Sequence, residues 1–303
     1  MPYVAEEIAS QPDCWARAIT LAARSRAALP EPGERVAVAG CGTSYHMALA
    51  YAALREASGQ GETDAFPVSE LRPRRYDRWV FLSRSGTTTE VLDALRAAPA
   101  GTLTTVLTAD GATPAADAAG AAVVLDFADE RSVVQTRFAT SVLALLRAHL
   151  GEDTSGLPDE AAKAVSRPLP AGAADRAQFT FLGRGWAAGI AAEAALKLRE
   201  SAQMWTESYP ALEYRHGPIS ISDPDTVVWI FGAEAAALAP DAERTGALVV
   251  PPAGDPLADL ILAQRIAVEL ANRRGLDPDN PRNLSRSVVL SPGDQPAGTR
   301  PGS

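Results

Sequence analysis

Two short stretches of this 303-residue chain carry hydroxyls at a spacing that suits anion chemistry. One is Ser83-Arg84-Ser85-Gly86-Thr87-Thr88-Thr89. The other is Gly40-Cys41-Gly42-Thr43-Ser44. Each follows a short apolar run and precedes a helical pattern, so each reads as the turn of a strand–turn–helix unit. Hydroxyls and free backbone N–H groups at adjacent strand ends, beside helix N-termini, form a cradle for one phosphate monoester. Arg84 adds a candidate charge-assisted contact. N-capping is the alternative, since Ser and Thr commonly precede helices. One cap uses one hydroxyl, however, and the stretch from Ser83 to Thr89 supplies five.

Two other phosphate signatures are absent. The dinucleotide fingerprint needs a third glycine where Tyr45 stands, and an acid at the end of the next strand. A G-x-x-x-x-G-K-[ST] loop does not occur. Cys14 and Cys41 are too few for a disulfide framework or a zinc cluster. His46, His149 and His216 lack metal-ligand spacing. No metal and no cofactor are expected.

The elements that position these turns are written twice. VAVAGCGTSYHMALAYAALRE at 36–56 resembles FTFLGRGWAAGIAAEAALKLRE at 179–200. Strands are predicted at 35–39, 79–82, 104–107, 122–125, 179–182, 226–231 and 247–250. Helices are predicted at 43–56, 90–98, 138–150, 187–207 and 256–274. The fold class is therefore α/β, with two doubly wound parallel-sheet domains of the flavodoxin-like, three-layer αβα kind. Residues 1–155 form the first domain and 156–291 the second, joined by a linker at 151–175. Residues 292–303 read as a disordered tail.

Composition narrows the partners. A net charge of −9 leaves no basic footprint for nucleic acid or an anionic membrane. The basic cluster Arg72, Arg74 and Arg75 reads as a solvated loop. No apolar stretch reaches the ~18 residues of a transmembrane helix, and the N-terminus lacks a signal-peptide pattern. A cytoplasmic protein is expected.

Ala39–His46 and Ser83–Thr88 resemble the two phosphosugar-binding motifs of the SIS (sugar isomerase) family, and most closely the isomerase half of glucosamine-6-phosphate synthases. Glu7-Ile8 with Gln11-Pro12, residues 183–223 and NPRNLSRSV at 280–288 extend the resemblance over nearly the whole chain. It implies that Ser44, Ser83, Arg84, Ser85 and Thr88 hold the phosphate, Arg84 standing where those enzymes have Gln, with Gly42 and Thr43 beside them among the substrate-binding residues. It implies that Val133 and Gln135 belong to a sugar-contacting loop, with Gln135 in place of a Ser. Glu200 would be the base that moves a proton between C1 and C2 of the open-chain sugar, and Lys197, three residues earlier on the same helix face, would steady either that base or the substrate's hydroxyls. Glu193 would support Lys197. His216 would open the sugar ring in a partner subunit, which implies a homodimer with sites completed across subunits. His46, His149 and Glu56 read as structural.

Arg286 is the informative departure. The resemblance places it where those enzymes carry an imine-forming Lys, and a guanidinium cannot take that role. A glutaminase portion is not expected either. The expected substrate is a hexose or aminohexose 6-phosphate, and specifically glucosamine 6-phosphate or N-acetylglucosamine 6-phosphate. Removal of its C2 proton leads to isomerisation, to deamination, or to dehydration by loss of the C3 hydroxyl. A non-catalytic sugar-phosphate sensor is the alternative from another class, and a structural remnant subunit the third.

Overall fold

The computed structural model describes residues 2–72 and 74–290; the tail predicted at 292–303 lies outside them. Among the described residues nine strands form two sheets, and every pairing in both is parallel. The first sheet contains β1 (Val36–Gly40), β2 (Thr63–Pro67), β3 (Arg78–Leu82), β4 (Leu103–Thr108) and β5 (Ala121–Val124), in the order β2-β1-β3-β4-β5. The second contains β6 (Gln178–Gly183), β7 (Trp205–Pro210), β8 (Thr226–Phe231) and β9 (Leu248–Val250), in the order β7-β6-β8-β9. The helices are α1 (Tyr3–Ala9), α2 (Gln11–Arg24), α3 (Thr43–Ala57), α4 (Thr89–Arg96), α5 (Pro114–Ala118), α6 (Arg137–His149), α7 (Leu157–Ser166), α8 (Ala187–Ala202), α9 (Ala239–Glu243) and α10 (Pro256–Arg273). Among the described residues no helix is long and apolar enough to cross a membrane.

The central strands β1, β3 and β8 are buried throughout, which is why they read as continuous apolar runs. In the first sheet, side chains alternate between two cores. Val36, Val38 and Val80 pack with Met47, Ala48 and Tyr51 of α3, while Ala37, Ala39 and Phe81 pack with Val91 and Leu95 of α4. Helices α3 and α4 therefore cover opposite faces, and the sheet is doubly wound. The core on the α3 side continues without a break into Phe179, Phe181 and Trp229 of the second sheet, through Ile190, Ala194 and Leu198 of α8. Gly189 permits this close approach, since a Cβ there would meet the His46 carbonyl of α3 at 2.7 Å. The second sheet's outer face is covered differently. Short 3₁₀ segments at Ala211–His216, Pro218–Ile221 and Ala233–Leu238, with α9, take the place of long helices.

Three local expectations are corrected. Strands β2 and β7 were not foreseen; each lies at a sheet edge and is only partly buried, so neither shows an apolar run. Helix α8 stops at Ala202, not at 207, because Gln203 adopts a left-handed conformation (φ 51°) and the chain turns into β7. The predicted linker contains α7, whose Leu157, Ala161 and Ala164 enter the shared core.

Candidate active site

Strands β1 and β3 are neighbours, with Gly40 opposite Leu82. Their following helices lie on opposite faces, so the chain parts at their C-terminal ends and leaves a crevice. This is the topological switch point at which doubly wound sheets bind ligands. Two glycines let the backbone close in here. A Cβ on Gly40 would meet Ser44 at 2.6 Å, and Gly86 (φ 61°) would meet the Thr113 side chain at 2.2 Å.

A cavity of about 170 Å³ occupies the crevice. Gly42, Thr43 and Ser44 line it from the first turn, and Ser83, Arg84, Ser85 and Thr88 from the second. Val133 and Gln135 reach it from the loop before α6, Glu200 from the end of α8, and Arg286 from the C-terminal segment. Residues separated by more than 200 positions thus share one small space. The Oε1 atom of Gln135 is buried there without a hydrogen-bond partner among the described residues, an arrangement that favours a bound donor. Cys41 also borders the cavity. Burial, assisted by the nearby Glu90 charge, pushes its thiol up to about 11, so it is not a thiolate nucleophile.

Lys197 sits at the centre of a buried polar chain. Its ammonium donates to Thr43 Oγ1 (2.8 Å) and Glu200 Oε2 (2.5 Å), and lies 3.3 Å from Glu193 Oε1. Burial works against this charge, but the Glu193 and Glu200 carboxylates outweigh it and hold the ammonium's pKa above its ordinary value. Lys197 therefore stays protonated near neutrality and is unsuited to imine formation. Glu193 Oε2 lies 3.0 Å from His46 Nδ1, so the chain continues from α8 back to α3. Glu200 presents its carboxylate to the cavity beside this network and is itself half-buried.

Arg84 lines the cavity, but its guanidinium is not free. It is buried, its guanidinium pairs with Glu130 (3.3 Å), and it donates to the carbonyls of Ser132, Val133 and Arg286. Its charge is engaged by the buried Glu130, and its fork ties the loop before α6 to the C-terminal segment. Glu130 in turn accepts from Thr136, while burial pushes its carboxyl pKa up against the Arg84 charge. Arg286 bonds the Glu130 carbonyl and the Asp129 carboxylate. His216 lies away from the cavity, exposed at the end of its 3₁₀ segment. Glu56 holds the Thr63 amide at 2.9 Å, and His149 the Pro30 carbonyl at 2.9 Å; both are structural contacts.

Ser287 was missed by sequence reasoning. Its Oγ lies among the cradle hydroxyls of Ser85, Thr87 and Thr88. The motif at 280–288 contained it, but its partners lie about two hundred residues away and no local pattern joins them.

No protein-family model matches the chain. It is 28% identical to the isomerizing glutamine–fructose-6-phosphate aminotransferase of Methanothermobacter thermautotrophicus, over 85% of this chain and 52% of that protein. It is 30% identical to the Gloeobacter violaceus aminotransferase over the same shares. The chain thus spans about half the length of these curated relatives. Among solved structures, a glucosamine-6-phosphate deaminase from Thermotoga maritima superposes with a TM-score of 0.78 at 25% identity, covering 95% of this chain and all of that one. A tagatose-6-phosphate ketose/aldose isomerase from Escherichia coli shares the fold at 20% identity, with a TM-score of 0.74 over 96% of each chain. By its sequence and its paired parallel sheets, the chain is a homologue of the isomerase (SIS) domain of the glutamine–fructose-6-phosphate aminotransferases.

Proposed function

We propose that the chain is an aminosugar-phosphate enzyme that opens the ring of glucosamine 6-phosphate or N-acetylglucosamine 6-phosphate and abstracts the C2 proton. The observation that carries this reading is the shared cavity: the Glu200 carboxylate faces the same space as the hydroxyl cradle of Ser44, Ser83, Ser85 and Thr88. A phosphate seated in the cradle fixes one end of an open-chain sugar, and Glu200 is available to the other end. Proximity of this kind turns a weak base into an effective one. The two aminotransferases and the Thermotoga maritima deaminase are named for aminosugar chemistry, which supports the choice of substrate class.

With a free amine at C2, proton removal and reprotonation at C1 give a ketimine. Water then releases the ketose 6-phosphate and ammonia. This deamination with isomerisation is the leading outcome. It needs no lysine imine, in keeping with Arg286 in the C-terminal segment and an ammonium held charged at Lys197. With an acetamido group at C2, loss of the C3 hydroxyl as water is the second outcome. Glu200 serves as base in both, and Lys197 fixes its position.

The exposed position of His216 is consistent with ring opening in a second subunit's cavity, so a homodimer is part of the proposal. So are a division of the chain near residue 155 and a cytoplasmic setting. The test is incubation of purified protein with each sugar phosphate, following ammonia, ketose 6-phosphate and unsaturated product. Ammonia and ketose in equal amounts from glucosamine 6-phosphate support deamination. Binding of either sugar with no product from either would make the protein a sensor.

A further inference from the structure

Ser287 makes more hydrogen bonds than its place in the chain requires. Its Oγ lies 2.9 Å from Thr87 Oγ1, 3.2 Å from Ser85 Oγ and 3.4 Å from Thr88 Oγ1. A hydroxyl oxygen has two acceptor positions and one proton, so these three partners saturate it. Convergence of several side-chain hydroxyls on one oxygen is the arrangement that an anionic oxygen exploits. Helix capping does not account for it, because Thr88 at the start of α4 makes no side-chain cap bond.

The segment that carries Ser287 is held in place without this hydroxyl. The Thr89 amide donates to the Val288 carbonyl (3.1 Å), and the Leu290 amide donates to Thr89 Oγ1 (2.8 Å). Arg84 donates to the Arg286 carbonyl (3.2 Å), and the Arg286 guanidinium bonds Asp129 and the Glu130 carbonyl. These contacts come from the two loops that build the cavity. The Ser287 hydroxyl is thus delivered to the cradle by its neighbours and is not needed to anchor them.

We propose that Ser287 is a further phosphate-binding residue, supplied to the cradle by the C-terminal segment. When a phosphomonoester enters, the hydroxyls of Ser85, Thr87 and Thr88 turn from Ser287 Oγ to the phosphate oxygens. Ser287 then donates its own proton to the anion. This deepens the phosphate-cradle reading above and rests on it.

The test is calorimetric titration of the full chain with inorganic phosphate and with glucosamine 6-phosphate. The variants are Ser287→Ala, Ser287→Thr and, as a cradle control, Ser85→Ala, each checked for an unchanged melting temperature. Loss of one hydrogen bond to an anion weakens binding about tenfold. Ser287→Ala should show that loss for both ligands, and Ser287→Thr should restore affinity to within about threefold. If Ser85→Ala weakens binding while Ser287→Ala binds as well as the wild type or better, the Ser287 proposal is overturned and the cradle stands. If the wild type binds neither ligand, the cradle reading fails, and the proposal fails with it.

Discussion

The Lys197 ammonium donates to Thr43 Oγ1 across 2.8 Å, joining the helix that carries Glu200, the proposed base, to the first turn of the proposed phosphate cradle. The same ammonium pairs with Glu193 and Glu200. One buried charge therefore fixes the position of Glu200 relative to the turn at Thr43. Replacing it by a neutral chain of similar length leaves two carboxylates facing each other with no cation between them. Lys197→Met should lower stability by about 3–5 kcal/mol, the usual cost of breaking a buried ion pair. It should also reduce turnover well below what the fraction still folded explains. Denaturant titration and rate measurement on the same preparation check both.

His216 is exposed, while Glu200 lines the cavity of its own chain. If the site is shared between subunits, two inactive variants should complement each other. Mixing Glu200→Gln with His216→Ala protein at equal amounts, with subunit exchange, should restore about a quarter of wild-type activity. Half of the dimers are then mixed, and each mixed dimer has one intact site of two. No recovery after proven exchange would place His216 outside the reaction or within its own subunit's site.

Arg84 anchors two loops and does not stand free to meet the phosphate. Arg84→Gln strands the buried Glu130 carboxyl and should cost about 3–5 kcal/mol. Affinity for inorganic phosphate in the remaining folded protein should fall only a few-fold. A loss of phosphate affinity beyond about a hundredfold with an unchanged melting temperature would restore Arg84 as a direct ligand.

His149 supplies a pH signature unrelated to catalysis. Burial, opposed by its hydrogen bond to the Pro30 carbonyl, lowers its pKa from 6.5. Unfolding therefore takes up a proton between that lowered value and pH 6.5. The His149 contribution is fully present above 6.5 and is lost as pH falls through the lowered value. The melting temperature of the wild type should decline over this window, and that of His149→Gln should decline less. Equal slopes would contradict the assignment.

The legible part of the fold was the part with no solvent. Buried parallel strands such as Val36–Gly40 and Thr226–Phe231 are apolar throughout, and a glycine turn marks where each unit begins. Edge strands such as Trp205–Pro210 mix polar and apolar residues because one side meets water, so their sequence carries little signal. At the site, local clusters were readable: the hydroxyls of residues 83–89, and Lys197 with Glu200 one turn apart. Pairings across the chain were not. Arg84 looked like an anion ligand because its partner Glu130 is 46 residues away, and Ser287 was silent because its partners are about 200 away. Charge type is visible in a sequence, whereas charge compensation is a property of the packed structure.

The central claim is that Glu200 removes a proton from C2 of a sugar held by its phosphate. Incubating glucosamine 6-phosphate with the enzyme in deuterated water, and following the C2 proton resonance, reads that step directly. The wild type should wash this signal out or carry it into product, and Glu200→Gln should slow the loss by about 10²–10⁴-fold while still binding the sugar phosphate. Exchange at the wild-type rate in Glu200→Gln would contradict the account.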